Sequence, residues 1–77
     1  MGLIRDELAR AMELWPPMQS AHEGYAVILE ELEELWEHVK MKQDMRSITD
    51  MREEAVHVAA MAARFIADLT LKDERSR

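Results

Sequence analysis

Apolar residues recur every three or four positions along almost the whole chain, and the one hard interruption is the adjacent pair Pro16 and Pro17. That spacing is the signature of one face of an α-helix, and no stretch shows the strict alternation of a half-buried strand. Proline disfavours helical geometry in the residue before it. The pair therefore divides a short N-terminal helix from the rest. A first helix is expected over about Leu3 to Trp15, with Ile4, Leu8, Ala11, Met12 and Trp15 as its stripe. A second is expected from Ser20 to about Lys42. It opens with the capping box Ser20-Ala21-His22-Glu23, in which the serine oxygen accepts from a first-turn amide and the glutamate reaches back. Its stripe is Tyr25, Ile28, Leu32, Leu35 and Val39, widened by Leu29 and Trp36. The polar segment Met41 to Ser47 reads as a turn. A third helix is expected from Ser47 or Thr49 to Leu71, on Met51, Ala55, Val58, Ala62, Phe65 and Leu69, with the tail Lys72 to Arg77 solvated. Gly24 offers a place where the first helix can approach the second closely.

The expected fold is all-α, a single domain over residues 1–77 with two long antiparallel helices and a short N-terminal helix. At 77 residues without cysteine, a core of this kind is marginal and no disulfide can staple it. Oligomerisation remains as the way to enlarge it, so a homodimer or tetramer is expected to complete a helical bundle. A formal charge of −6 repels the phosphates of nucleic acid and of anionic membranes, so neither is expected as a partner. No apolar run approaches the roughly 20 residues of a membrane span, and the N-terminus lacks the apolar stretch of a signal peptide. A cytoplasmic location is the expectation that follows. Trp15 and Trp36 read first as core or interface anchors.

The stretch that asks for chemistry is EELEELWE, residues 30–37, with five glutamates and no base among them. Like charges three and four apart on a helix each cost roughly 0.2–0.5 kcal/mol. The first helix interleaves its signs, so this one need not have been uniformly acidic to be solvated. Three readings stand: a solvated face, a surface for a basic partner, or a divalent-cation site in which the ion relieves the repulsion. On the third helix Glu54 and His57 sit on the shoulder of the apolar stripe, as Glu31 and Glu34 do on the second. Antiparallel packing lets the two shoulders face one another.

The segments Glu30-Glu31-Leu32-Glu33-Glu34 and, 19 residues further on, Glu54-Ala55-Val56-His57 resemble the EExxE and ExxD pattern of the MazG-like all-α nucleoside triphosphate pyrophosphohydrolases. The resemblance covers about residues 18–70. It implies Mg²⁺ (or Mn²⁺) bound by acidic side chains of two antiparallel helices, here Glu31, Glu34, Glu54 and His57. It implies dimers or dimers of dimers, and hydrolysis of a nucleoside triphosphate to monophosphate and pyrophosphate. Glu30 or Glu34 would orient or deprotonate the attacking water. Lys40, Lys42, Arg46 and Arg64 are candidate phosphate contacts and Trp15 a candidate substrate contact. His57 stands where the family has aspartate. Imidazole suits Mn²⁺, Zn²⁺ or Ni²⁺ better than Mg²⁺, so either the metal preference has changed, three carboxylates suffice, or catalysis is lost. The alternative is a non-catalytic oligomerisation or protein-binding module of the same fold.

Overall fold

A computed structural model describes residues 2–71; the tail from Lys72 on lies outside the described residues. Helix α1 spans Gly2–Leu14, α2 spans Ala21–Val39 and α3 spans Ile48–Phe65, followed by one π-helical turn over Ile66–Thr70. There is no strand among the described residues.

Local chemistry sets each boundary. α1 stops against Pro16 and Pro17, which have no N–H to give its last carbonyls. Ser20 caps α2, its Oγ accepting from the Glu23 amide at 3.1 Å. Glu23 reaches back one residue further than a reciprocal capping box requires, its Oε1 accepting from the Gln19 amide at 2.5 Å. α2 ends at Val39 rather than Lys42, because the Arg46 Nε donates to the Val39 and Met41 carbonyls at 2.9 and 3.1 Å and folds the chain over. A single 3₁₀ turn at Gln43–Met45 completes the reversal. Ser47 then caps α3 through the Asp50 amide at 3.1 Å.

Residue pairs give the helix directions. Gly24 lies against Phe65 and Leu69, and Glu31 against Glu54 and His57, so α2 and α3 run antiparallel. Glu7 lies near His57, Ala11 near Arg64 and Met18 near Asp68, so α1 runs parallel to α3. α3 is the central element and packs on both neighbours. It does so with two adjacent stripes. Val58, Ala62, Phe65 and Leu69 are the α2 side, with Phe65 and Leu69 against Gly24. His57, Ala60, Met61, Arg64 and Asp68, at the same helical spacing, are the α1 side. Ala55, expected in the stripe, is exposed. Gly24 is buried and does permit a close approach, but by α3, not by α1.

The buried apolar residues among the described ones are Ala11, Met18, Ala60 and Met61, with Leu8, Val27, Ile28, Phe65 and Leu69 half-buried around them. No large side chain is completely enclosed. Large apolar residues instead stand in solvent. Tyr25, Leu29, Leu32 and Trp36 form a stripe at i, i+4, i+7 and i+11 on the outer face of α2, with Tyr25 64% and Trp36 57% exposed. Tyr25 and Leu32, expected to pack inside, belong to this outer stripe, as Met12 and Trp15 of the first helical segment are also exposed. The inward face of α2 is Gly24, Val27, Ile28, Glu31 and Leu35. No helix among the described residues is long and apolar enough to cross a membrane.

Candidate metal centre

The antiparallel register of α2 and α3 brings Glu31, Glu54 and His57 to one point, with a ligand atom of each within 4.8 Å of the others. His57 Nδ1 lies 3.5 Å from Glu31 Oε2 and 3.6 Å from Glu54 Oε2. Both oxygens are buried and neither has a hydrogen-bond partner. Unpaired buried acceptors are costly in a folded protein, and here two of them point at the same imidazole. The side chains remain reachable, with 20% of Glu31, 18% of Glu54 and 23% of His57 exposed.

Glu34 lies on the exposed side of the same α2 shoulder. It acts on Glu31 electrostatically: burial, then Glu34 through a shared hydrogen bond and its charge, and Glu54 by its charge, push the Glu31 carboxyl up to about 7, while His57 pulls the other way. Near neutral pH the Glu31 carboxyl is therefore only partly ionised, which offsets part of the crowded negative charge. A divalent cation would offset more of it and displace the remaining proton.

A fourth residue joins the cluster from α1. Glu7 Oε2 is 3.7 Å from His57 Nε2. Its carboxylate is held in a two-pronged pair by Arg10, Nε to Oε1 at 3.0 Å and Nη2 to Oε2 at 2.8 Å. That bond above all, and His57 in addition, hold the Glu7 carboxyl below the usual carboxylate range. Sequence reasoning missed Glu7 because its pairing with Arg10 looked like an interleaved solvated face. The signal was there: Ile4, Glu7, Leu8 and Ala11 share one helical face, so Glu7 falls inside the inward stripe.

The cluster borders a cleft of about 460 Å³ between the three helices, lined among others by Trp15, Met18, Val27, Glu30, Met61 and Arg64. The remaining candidates divide. Glu30 and Trp15 are exposed at the cleft. Lys40 lies about 13 Å along α2 from Glu31 at ~1.5 Å per residue, paired with Glu37 at 3.1 Å. Arg46 caps α2, and Lys42 is exposed on the same reversal. Arg64 is not a surface charge at all. It is 4% exposed and donates to the carbonyls of Ala11 (3.0 Å), Trp15 (2.6 Å) and Pro16 (2.7 Å). Its Nε donates to Asp68 Oδ2 at 3.1 Å, which also accepts from the Met18 amide at 3.0 Å. Arg64 thus supplies donors that the prolines withhold from the end of α1, where a positive charge is also favoured by the helix dipole.

The donor set fits a divalent ion that accepts one imidazole nitrogen beside carboxylate oxygens. It fits Mg²⁺, which prefers an all-oxygen shell, less well than Mn²⁺. No family model, curated protein or solved structure matches this chain.

Proposed function

We propose that the protein binds a divalent cation at Glu31, Glu54 and His57 and uses it to hydrolyse a nucleoside triphosphate to the monophosphate and pyrophosphate. The observation that carries this reading is the pair of orphaned buried oxygens, Glu31 Oε2 and Glu54 Oε2, converging on one imidazole at the edge of a cleft. A bound cation would draw a polyanionic substrate to an otherwise repulsive site and neutralise charge developing on the leaving pyrophosphate. Glu34 and Glu30 lie on the solvent side of the cluster, where an exposed carboxylate can orient or deprotonate water. Trp15, exposed on the cleft, offers a flat apolar face for a base. Lys40 lies outside the cleft lining, and Arg64 has four of its five N–H donors committed to protein oxygens.

The test is a nucleotide panel assayed for pyrophosphate release with Mn²⁺ and with Mg²⁺, alongside calorimetric titration of the cation alone. Cation binding and pyrophosphate release that both fall in Glu54→Gln support the reading. Equal Mn²⁺ affinity in parent and Glu54→Gln would refute it.

The second reading, a non-catalytic self-association module, is favoured by the outer stripe of Tyr25, Leu29, Leu32 and Trp36, continued by the exposed Ile66. A second copy laid on this stripe would bury the face that a fourth bundle helix ordinarily covers. Sedimentation of the parent as a dimer or tetramer, and of Leu32→Glu as a smaller species, supports self-association. A folded parent monomer of 9.0 kDa at micromolar concentration would remove it.

A further inference from the structure

The two ring nitrogens of His57 meet different carboxylates. Nδ1 faces Glu31 Oε2 and Glu54 Oε2, neither of which has a donor. Nε2 faces Glu7 Oε2, and both oxygens of Glu7 are already held by Arg10. A neutral imidazole has one N–H and one lone pair, and only the nitrogen with the lone pair can ligate a metal. We infer that Glu7, fixed by Arg10, is a positioning residue that takes the Nε2–H of His57 and so leaves Nδ1 as the ligand atom for a divalent transition ion shared with Glu31 and Glu54. The inference rests on the cation reading above and adds which nitrogen binds, what fixes it, and which class of ion is preferred.

The opposite arrangement is disfavoured on two counts. A cation on Nε2 would have to draw Glu7 from its two bonds to Arg10. It would also leave the orphaned oxygens of Glu31 and Glu54 on the wrong side of the ring. With the cation on Nδ1, the orphaned oxygens become ligands and Glu7 keeps Arg10. The Nε2 to Glu7 distance of 3.7 Å exceeds the roughly 3.2 Å of a hydrogen bond, so the approach must shorten by about 0.5 Å for Glu7 to take the proton. A carboxylate on the far nitrogen makes the ligating nitrogen more basic. That strengthens binding of Mn²⁺, Co²⁺ or Zn²⁺ and does little for Mg²⁺.

The test uses the full chain and two readouts. Nitrogen–proton correlation spectra of cation-free protein, at a pH alkaline enough for neutral rings, report the His57 tautomer. Visible spectra on Co²⁺ titration report affinity and the nitrogen ligand. The parent is expected to carry its proton on Nε2, and Glu7→Ala to lose that preference and bind Co²⁺ some 10–100-fold more weakly. Glu7→Gln, which keeps the shape and an accepting oxygen, is expected to keep the tautomer and lose less affinity; it also serves if Glu7→Ala does not fold. A parent with its proton on Nδ1, a folded Glu7→Ala whose tautomer and Co²⁺ affinity are unmoved, or a Glu7→Gln that binds Co²⁺ as tightly as the parent, overturns the inference while leaving the cation reading in place. A parent that binds no Co²⁺, Mn²⁺ or Zn²⁺ overturns the cation reading and the inference with it.

Discussion

Glu31→Gln separates the cost of the cluster from its use. In the cation-free protein the Glu31 carboxyl is raised from 4.5 to about 7. Between those values the folded state holds a proton that the unfolded state has released, so stability falls as pH rises through this window and stays low above it. Below about pH 4.5 the carboxyl is neutral in both states and the penalty vanishes. At 1.36 kcal/mol per unit the raise corresponds to about 3 kcal/mol. The side chain is 20% exposed, and a discount for solvent screening leaves on the order of 1.5 kcal/mol. Glutamine removes the charge and keeps the shape. With an unfolding entropy of ~2.1 cal/mol/K per residue, 77 residues give about 0.16 kcal/mol/K. Glu31→Gln is then expected to raise the melting midpoint at pH 8 in chelator by about 9 °C, and to leave it unchanged at pH 4. Cation reverses the order. At a free Mn²⁺ concentration about 100 times Kd the parent gains about 2.7 kcal/mol, and the variant, short of a ligand, gains little. The parent should then melt several degrees above the variant. Circular-dichroism melts at pH 4 and 8, with chelator and with Mn²⁺, read all four corners. A variant less stable than the parent at pH 8 in chelator, or an equal Mn²⁺ response in both, would refute the reasoning.

Three further outcomes are expected. His57→Asp places a fourth carboxylate beside Glu7, Glu31 and Glu54, so it should melt lower than the parent in chelator and show a larger upward shift with Mg²⁺; a folded variant without that larger shift would show that His57 does not face a cation. Arg64→Met strips donors from the carbonyls of Ala11, Trp15 and Pro16 and leaves the Asp68 carboxylate without its cation, held by the Met18 amide alone, which should cost about 3–5 kcal/mol in urea unfolding, partly recovered by adding Asp68→Asn; a cost under about 1 kcal/mol would contradict the buried role. Gly24→Ala builds a Cβ 2.5 Å from Phe65 Cδ2 and 3.0 Å from Leu69 Cδ1, and overpacking of about 1–3 kcal/mol should outweigh the helix-propensity gain of ~1 kcal/mol, so that the urea midpoint falls; a rise would mean that α2 and α3 have slack.

The helices were legible because their limits are written in local chemistry, in Pro16 and Pro17, Ser20 and Ser47. That Glu31 could face Glu54 and His57 was legible too, since all three lie on the shoulders of apolar stripes that antiparallel packing brings opposite one another; the register that makes them meet was not. What sequence could not supply was the place of α1. Its parallel course beside α3 depends on Arg64 and Asp68, whose partners are backbone atoms some 50 residues away, and backbone acceptors leave no trace in residue identity. For the same reason Arg64 read as a candidate phosphate contact, whereas Glu7 was passed over for its local pair with Arg10, its other partner being the His57 side chain.

The way α1 is fastened also says how the molecule opens. α2 and α3 form a helical hairpin closed by a short reversal, so their contacts assemble locally and early. α1 is clasped mainly at its C-terminal end by one guanidinium, while Glu7 meets His57 nearer its other end. Such a unit comes away as a whole without melting the hairpin. Amides of α1 should therefore exchange with solvent well before those of α2 and α3, and each such opening exposes further a His57 and a cleft that solvent already reaches.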